Sequence, residues 1–364
     1  MSGSEEKRLM KGNEAIAEAA IRAGCMAYYG YPITPQNELI AWMAREMLAR
    51  GRVFIQAESE IGAISMVYGS SAAGVRAMTS SSSPGVSLKQ EGISYGAGAD
   101  VPMVIVNVAR AGPGLGAISP AQGDYFQSTR GGGHGDYHTP VLAPWSVQEC
   151  ADLTYRAFDL ADTWRMPVVL LADGVIGQML EGVILPPERD PASLPKRDWS
   201  VGDRREGGSL PQARPIRHVT SLDLEANSLE AKINSRFERY KKIQETEVRW
   251  EEIGCDDADL ILVAYGTSAR VCLGVHNEAA ARGLKIGLLR LITLWPFPTA
   301  PIAALAAKGK HFLCVEMSMG QMVEDVRLAV NGAVPVAHFG RVGGNIPTEE
   351  EVLTEALRVM GRKE

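Results

Sequence analysis

Two carboxylates, Glu58 and Glu60, leave the apolar stretch 53–57 and lead into residues 61–75, which carry no charge and are rich in Gly, Ala and Ser. An acid entering a helix of small residues either gains from the helix dipole at the first turn or holds a proton or hydrogen bond for a ligand in an apolar site. If the strand continues through both acids they share a face; if a helix starts between them they do not. Arg110 ends the apolar run PMVIVNVA. A guanidinium at that point grips a ligand carboxylate through two parallel hydrogen bonds, or pairs with an acid of the glycine-rich segment that follows it. Thr34, in GYPITP, also follows an apolar run. Its hydroxyl either caps the next helix, with Pro35 at the first position, or turns with the helix N-terminus toward the crevice of Arg110.

Other groupings carry less chemistry. The turn TSSSSPG (79–85) lacks the G-x-S-x-G elbow of a serine nucleophile, so its hydroxyls and N–H groups are expected to hold an anion or a neighbouring loop. GPGLGA leads into more glycine and proline, not into a helix followed by an acid, so it is not a dinucleotide fingerprint. His134 and His138 stand among glycines and a Thr-Pro, away from any helical face that would make them a zinc pair. The five cysteines, Cys25, Cys150, Cys255, Cys272 and Cys314, show no CxxC spacing. They read as reduced, packing thiols, without the close ligands an iron–sulfur cluster needs.

The elements that must position these groups alternate. Asn13 is expected to cap a first helix that ends at Gly24, and CMAYYGYP reads as a buried strand. Leu39, Ile40, Met43 and Met47 recur at helical spacing. Further strands are expected at 53–57, 75–79, 102–109 and PVVLLAD, and Ser146–Glu149 has the spacing of a capping box opening a helix to about Trp164. Unbroken apolar strands separated by helices imply an α/β fold, a doubly wound parallel sheet covered on both faces. The same alternation returns from ADLILVAYG through LKIGLLRLI and HFLCVEM to PVAHFG, as a smaller α/β domain.

Three regions follow: 1–185, a proline-rich linker and amphipathic helix at 186–252, and 253–364. Six prolines fall within 186–217, and Leu229, Ile233, Phe237 and Tyr240 form one stripe in 222–252. Residues 110–144 have no periodic stripe and begin at a strand's carboxyl edge, where α/β folds bind ligands. The length of 364 residues fits two domains, and 46% hydrophobic with 22% charged residues is ordinary globular composition. A net charge of −6 argues against a nucleic-acid binder, whose footprint would be a basic face. No apolar run is long enough to cross a membrane, and the first twenty residues lack a leader's apolar core, so a cytoplasmic protein is expected.

Taken together, GYPITPQNE, QAESEIGAISMVYGSSAAG, MTSSSSPG, NVARAGPGLG and GGGHGDY resemble the alpha subunit of 2-oxoacid:ferredoxin oxidoreductases. The 2-oxoisovalerate (3-methyl-2-oxobutanoate) type is the nearer resemblance and the 2-oxoglutarate type the next. The resemblance implies a thiamine diphosphate pyrimidine-binding domain followed by a domain like the carboxy-terminal one of transketolases. It makes Glu60 the catalytic glutamate on N1′ of the aminopyrimidine. There it favours the imino tautomer that removes the thiazolium C2 proton. It gives Thr34 and Arg110 to the substrate, and Pro32 and Ser83, with Glu60, to the cofactor. Glu58 falls to a pocket rim or a partner interface.

The GDG…N motif that holds Mg²⁺ and diphosphate in such enzymes is not found. The resemblance therefore places the diphosphate and metal on a beta subunit, and the iron–sulfur clusters on a ferredoxin-like delta chain, with a gamma chain completing a hetero-oligomer. Its implied reaction is oxidative decarboxylation of a branched-chain 2-oxo acid to its acyl-CoA, with electrons to ferredoxin. A 2-oxoglutarate enzyme and a non-catalytic module of the same fold are the alternatives.

Overall fold

A computed structural model describes residues 7–195, 197–201 and 217–362. The first part of the chain runs β1 (Arg8–Lys11), α1 (Gly12–Arg22), β2 (Ala27–Gly30), α2 (Asn37–Ala49), β3 (Val53–Gln56), α3 (Glu60–Ala72), β4 (Ala77–Ser81) and α4 (Ser83–Gly98). It continues through β5 (Met103–Ala109), α5 (Tyr125–Thr129), β6 (Val141–Leu142), α6 (Val147–Trp164), β7 (Pro167–Asp173), α7 (Gly174–Gln178) and β8 (Leu180–Val183). The long helix α8 (Ala226–Thr246) leads to β9 (Trp250–Ile253), β10 (Leu260–Ala264), α9 (Gly266–Ala281), β11 (Ile286–Leu291) and β12 (Thr293–Trp295). Last come α10 (Thr299–Ala307), β13 (His311–Glu316), α11 (Met322–Val330), β14 (Val336–Gly340) and α12 (Glu349–Val359).

Seven strands form the first sheet in the order β12-β6-β7-β5-β4-β2-β3, and five form the second in the order β14-β13-β10-β11-β9. The expected parallel α/β sheets are present: every pairing from β3 across to β6 is parallel, as are those among β10, β11, β13 and β14. β4, β5 and β7 are buried along their full length because helices cover both faces. α1, α2 and α6 enclose one core; α3 and α4 share the other with the inner face of the second sheet. The chain leaves β2 for β3 on one side and then crosses to β4 on the other. The topology therefore opens a crevice at the carboxyl ends of β2 and β4.

Several local expectations are corrected. α1 starts at Gly12 with Lys11 as its cap; Asn13 is inside the helix, its amide donating to Pro35 O at 2.8 Å. α2 starts at Asn37, not after Thr34, because a turn closes first, with Gln36 N donating to Ile33 O. β3 is an exposed sheet edge rather than a buried strand. The helix expected over 222–252 ends at Thr246, and Trp250–Ile253 pairs antiparallel with β11. Residues 110–144 are not one irregular loop, since they contain α5 and β6. Part of the proline-rich stretch lies outside the described residues; within it, Arg189 pairs with Asp159 and Arg197 with Asp162 on α6.

Candidate functional site

The two glutamates separate where the helix begins. Ser59 caps α3, its Oγ accepting from Gly62 N at 3.1 Å. Glu58, before the cap, is exposed and folds over Gly62. Glu60, in the first turn, is 6% exposed and turned against α4. A Cβ on Gly85 would collide with Glu60 Oε1 and Ser81 Oγ, so a glycine is what lets the α4 backbone approach this carboxylate. Glu60 has no hydrogen-bond or ion-pair partner among the described residues, an unusual state for a buried acid.

Arg110 is buried at the end of β5. Its Nη1 donates to Thr34 O at 2.9 Å and its Nη2 to Leu115 O at 3.1 Å, while Nε has no partner. No acid pairs with it among the described residues, so the ion pair with the glycine-rich segment is not formed. Thr34 meets Arg110 through its carbonyl, and its hydroxyl accepts from Asn37 Nδ2 at 3.2 Å. Pro32 is exposed in the same loop. Ser83 opens α4 and its Oγ accepts from Arg110 N at 2.9 Å and reaches Asp124 Oδ2 at 2.6 Å. The serine turn thus holds a neighbouring loop. Gln36 ties the Thr34 loop to β4 by accepting from Ser80 Oγ at 2.6 Å.

Asp124 and Asn107 complete this cluster and were not singled out by sequence. Asn107 Nδ2 donates to Asp124 Oδ2 at 2.8 Å, and its Oδ1 accepts from Ser83 N at 3.1 Å. Burial pushes the Asp124 carboxyl up, with the Ser83 and Asn107 hydrogen bonds opposing. Asn107, the one polar residue in an otherwise apolar strand, was the available signal.

The second domain supplies the opposite wall. A cavity of about 420 Å³ lies between Ser83, Arg110 and Asp124 on one side and Met317, Met319 and Val342 on the other. Gln122 fixes the two walls: its Nε2 donates to Tyr265 O at 2.9 Å, and its Oε1 accepts from Ser268 Oγ at 2.7 Å and Met317 N at 2.9 Å. Glu316, fully buried, accepts from the N–H groups of Gln321, Met322 and Val323 at 2.9–3.1 Å and so sets the loop that carries Met319.

The other candidates take structural places. His138 stacks on Trp295 at 4.8 Å in a cluster with Phe237 and Tyr240, and burial lowers its pKa. All five cysteines are buried and free, and burial raises Cys25 to about 12 and Cys255 to about 11. Among the described residues no helix is long and apolar enough to cross a membrane, and no group of three or more His, Cys, Asp or Glu side chains could hold a metal ion.

Two families match this chain: pyruvate flavodoxin/ferredoxin oxidoreductase, thiamine diphosphate-binding, over residues 18–248, and pyruvate:ferredoxin oxidoreductase core domain II over residues 258–352. Ketoisovalerate oxidoreductase subunit VorB of Methanothermobacter thermautotrophicus is 50% identical over 97% of this chain and 98% of its own length. 2-Oxoglutarate synthase subunit KorA of Archaeoglobus fulgidus is 38% identical over 92% and 95%. The solved 2-oxoglutarate:ferredoxin oxidoreductase from Magnetococcus marinus, with 2-oxoglutarate, coenzyme A and succinyl-CoA bound, superposes with a TM-score of 0.85 at 25% identity. The match covers 98% of this chain and 66% of that one. A split-gene transketolase, with a TM-score of 0.55 at 11% identity, shares the fold alone. With one family spanning more than half the chain and a relative at 50% identity along nearly all of it, the chain belongs to the 2-oxoacid:ferredoxin oxidoreductases as a subunit with a thiamine diphosphate-binding domain.

Proposed function

We propose that this chain supplies the aminopyrimidine side of the cofactor site in a complex that oxidatively decarboxylates a branched-chain 2-oxo acid to its acyl-CoA, with electrons to ferredoxin. The observation that carries this is Glu60, a buried carboxylate without a partner, held against a glycine of α4. Ser81 Oγ at the end of β4, Ser82 Oγ just before α4, and Arg110 Nε after β5 are buried and unpartnered, so the residues present fit a polar ligand. Thiamine diphosphate, when bound, would supply the carbon nucleophile for the keto group. Glu60 would hold the proton at the cofactor's N1′, where its burial strengthens that hydrogen bond. Arg110 would take the substrate carboxylate, with Thr34 beside it. Ser83 and Asp124 would keep the Arg110 backbone in place, and Pro32 and Ser83 would border the cofactor.

The substrate reading rests on the cavity. Arg110 is the one cation among its described lining residues, and Met317, Met319 and Val342 offer apolar surface beyond it. That lining suits a branched aliphatic tail better than a second carboxylate, as the VorB relative's name also suggests. A 2-oxoglutarate enzyme is the second reading, favoured by the KorA relatives and the solved complex; a non-catalytic module is the third. Met319 in the cavity lining and Leu115, whose carbonyl accepts from Arg110, are 82% and 81% exposed, and Ile61 beside Glu60 is exposed too, which suits burial by another subunit. We assign the diphosphate and Mg²⁺ to a beta subunit with GDG…N, and iron–sulfur clusters to a ferredoxin-like delta subunit. A gamma subunit completes this cytoplasmic assembly of anaerobic metabolism.

The test uses the purified complex with CoA and ferredoxin. 3-Methyl-2-oxobutanoate should reduce ferredoxin faster than 2-oxoglutarate does. Glu60→Gln should leave the complex assembled and slow turnover by ~10² or more, the range of acid–base contributions, whereas Glu58→Gln should stay near wild type. Normal turnover of Glu60→Gln would overturn the assignment.

A further inference from the structure

Lys89 is fully buried on α4, and its Nζ donates to Thr79 Oγ1 at 3.0 Å. An ammonium has three N–H donors and a strong need for charge compensation, so burial against one neutral hydroxyl is costly. A plain core position between α3 and α4 would carry an apolar side chain; Ile64, for example, packs so closely that it would meet a Cβ on Gly92. Lys89 lies four residues after Gly85, on the same face of α4 that Glu60 approaches.

We propose that Lys89 is a positioning residue for Glu60: a buried ammonium, one helical turn below the carboxylate's contact with Gly85, that serves as its counter-charge inside the pocket. The inference rests on the proposed role of Glu60. α4 packs on α3, β5 and β7. Their titratable groups are Glu60 and Tyr68 on α3 and Asp173 at the end of β7; β5 and β4 carry none, and Asp124, on the segment that also touches α4, bonds Ser83 and Asn107. Of these, Glu60 is the one that acts on the amine. Burial lowers Lys89 to about 8, and Glu60 opposes that shift. A cation at this depth holds the carboxylate in place by charge attraction, ready to accept a hydrogen bond from a protonated ring nitrogen. It also couples the site to pH, because the counter-charge is present below about pH 8 and lost above it.

The Lys89 amine is read first, by NMR of the full-length chain labelled at lysine Cε. Its midpoint should lie near 8, fall by about one unit or more in Glu60→Gln, the scale of a lost neighbouring opposite charge, and stay put in Glu58→Gln. The second reading is hydrogen–deuterium exchange at C2 of thiamine diphosphate in the assembled complex. Wild type should lose rate as pH rises through about 8, and Lys89→Met and Lys89→Gln should both lack that limb. Gln keeps a donor for Thr79, so it separates charge from hydrogen bonding and stands in if Met does not fold. An unchanged Lys89 midpoint in Glu60→Gln, or a wild-type pH profile in Lys89→Gln, would overturn the proposal. Neither result bears on Glu60's own role, which fails separately if Glu60→Gln turns over normally.

Discussion

Gly85→Ala puts a methyl group where the carboxylate of Glu60 and the hydroxyl of Ser81 now lie. Two effects on stability oppose each other. An alanine in a helix is favoured over glycine by roughly 0.5–1 kcal/mol, and overpacking a filled site costs typically ~1–3 kcal/mol. Here both atoms struck are the ends of side chains, and Ser81 Oγ has no hydrogen bond to lose on rotating. Relief is therefore cheap, and net stability should stay within about 1–2 kcal/mol of wild type, a shift of a few degrees in Tm. The relief works by moving the carboxylate, however, so catalysis should fall like that of Glu60→Gln, by ~10² or more. Gly69→Ala is the control: it is also in a helix, with nothing near the added carbon, and should gain about 0.5–1 kcal/mol with unchanged turnover. Calorimetry gives Tm, and C2 proton exchange in the complex gives activation. Normal exchange in Gly85→Ala would show that Glu60 need not sit against α4 to act.

Two further variants test the β5 end of the crevice. Arg110→Lys loses the planar fork and should raise the substrate KM about ten- to a hundredfold, the worth of a charge-assisted hydrogen bond, with little change in kcat; an unchanged KM would make Arg110 a brace for Thr34 O and Leu115 O alone. Asp124→Asn should flatten part of the stability–pH curve. The Asp124 carboxyl is raised by burial, so its stabilising contribution is full below the ordinary carboxylate value and lost as pH climbs through the raised one. The wild-type-minus-variant difference in denaturant midpoint should therefore fall as pH rises across that window, and a flat difference would refute the assignment.

The fold was legible wherever a segment's own pattern decided its structure. Uninterrupted apolar strands such as PVVLLAD are buried on both faces, and the helices between them have no other place than the two faces of the sheet. What escaped depends on partners far along the chain. β12, three residues long, leaves the second domain to pair with β6 of the first sheet, Thr293 opposite Leu142. Gln122 looks like any loop glutamine until its amide meets Tyr265, Ser268 and Met317. Nothing local marks either, because short strands and single amides draw their stability from the surface they complete.

The site shows the same division at the scale of three residues. Alternation alone left Glu58 and Glu60 on one face or on two, and the choice depended on where the helix began. Ser59 decides it: a serine between two glutamates, followed by a small residue whose N–H its hydroxyl can take, starts α3 at the second acid. That cap was readable in the sequence, and it sends Glu58 to solvent and Glu60 inward. The depth of Glu60's surroundings was not readable. It depends on Gly85 having no side chain and on Lys89 lying one turn below it, both on a helix reached only after another strand. A local signal thus names the acid that turns inward, and the packing of α3 on α4 gives that residue its buried surroundings.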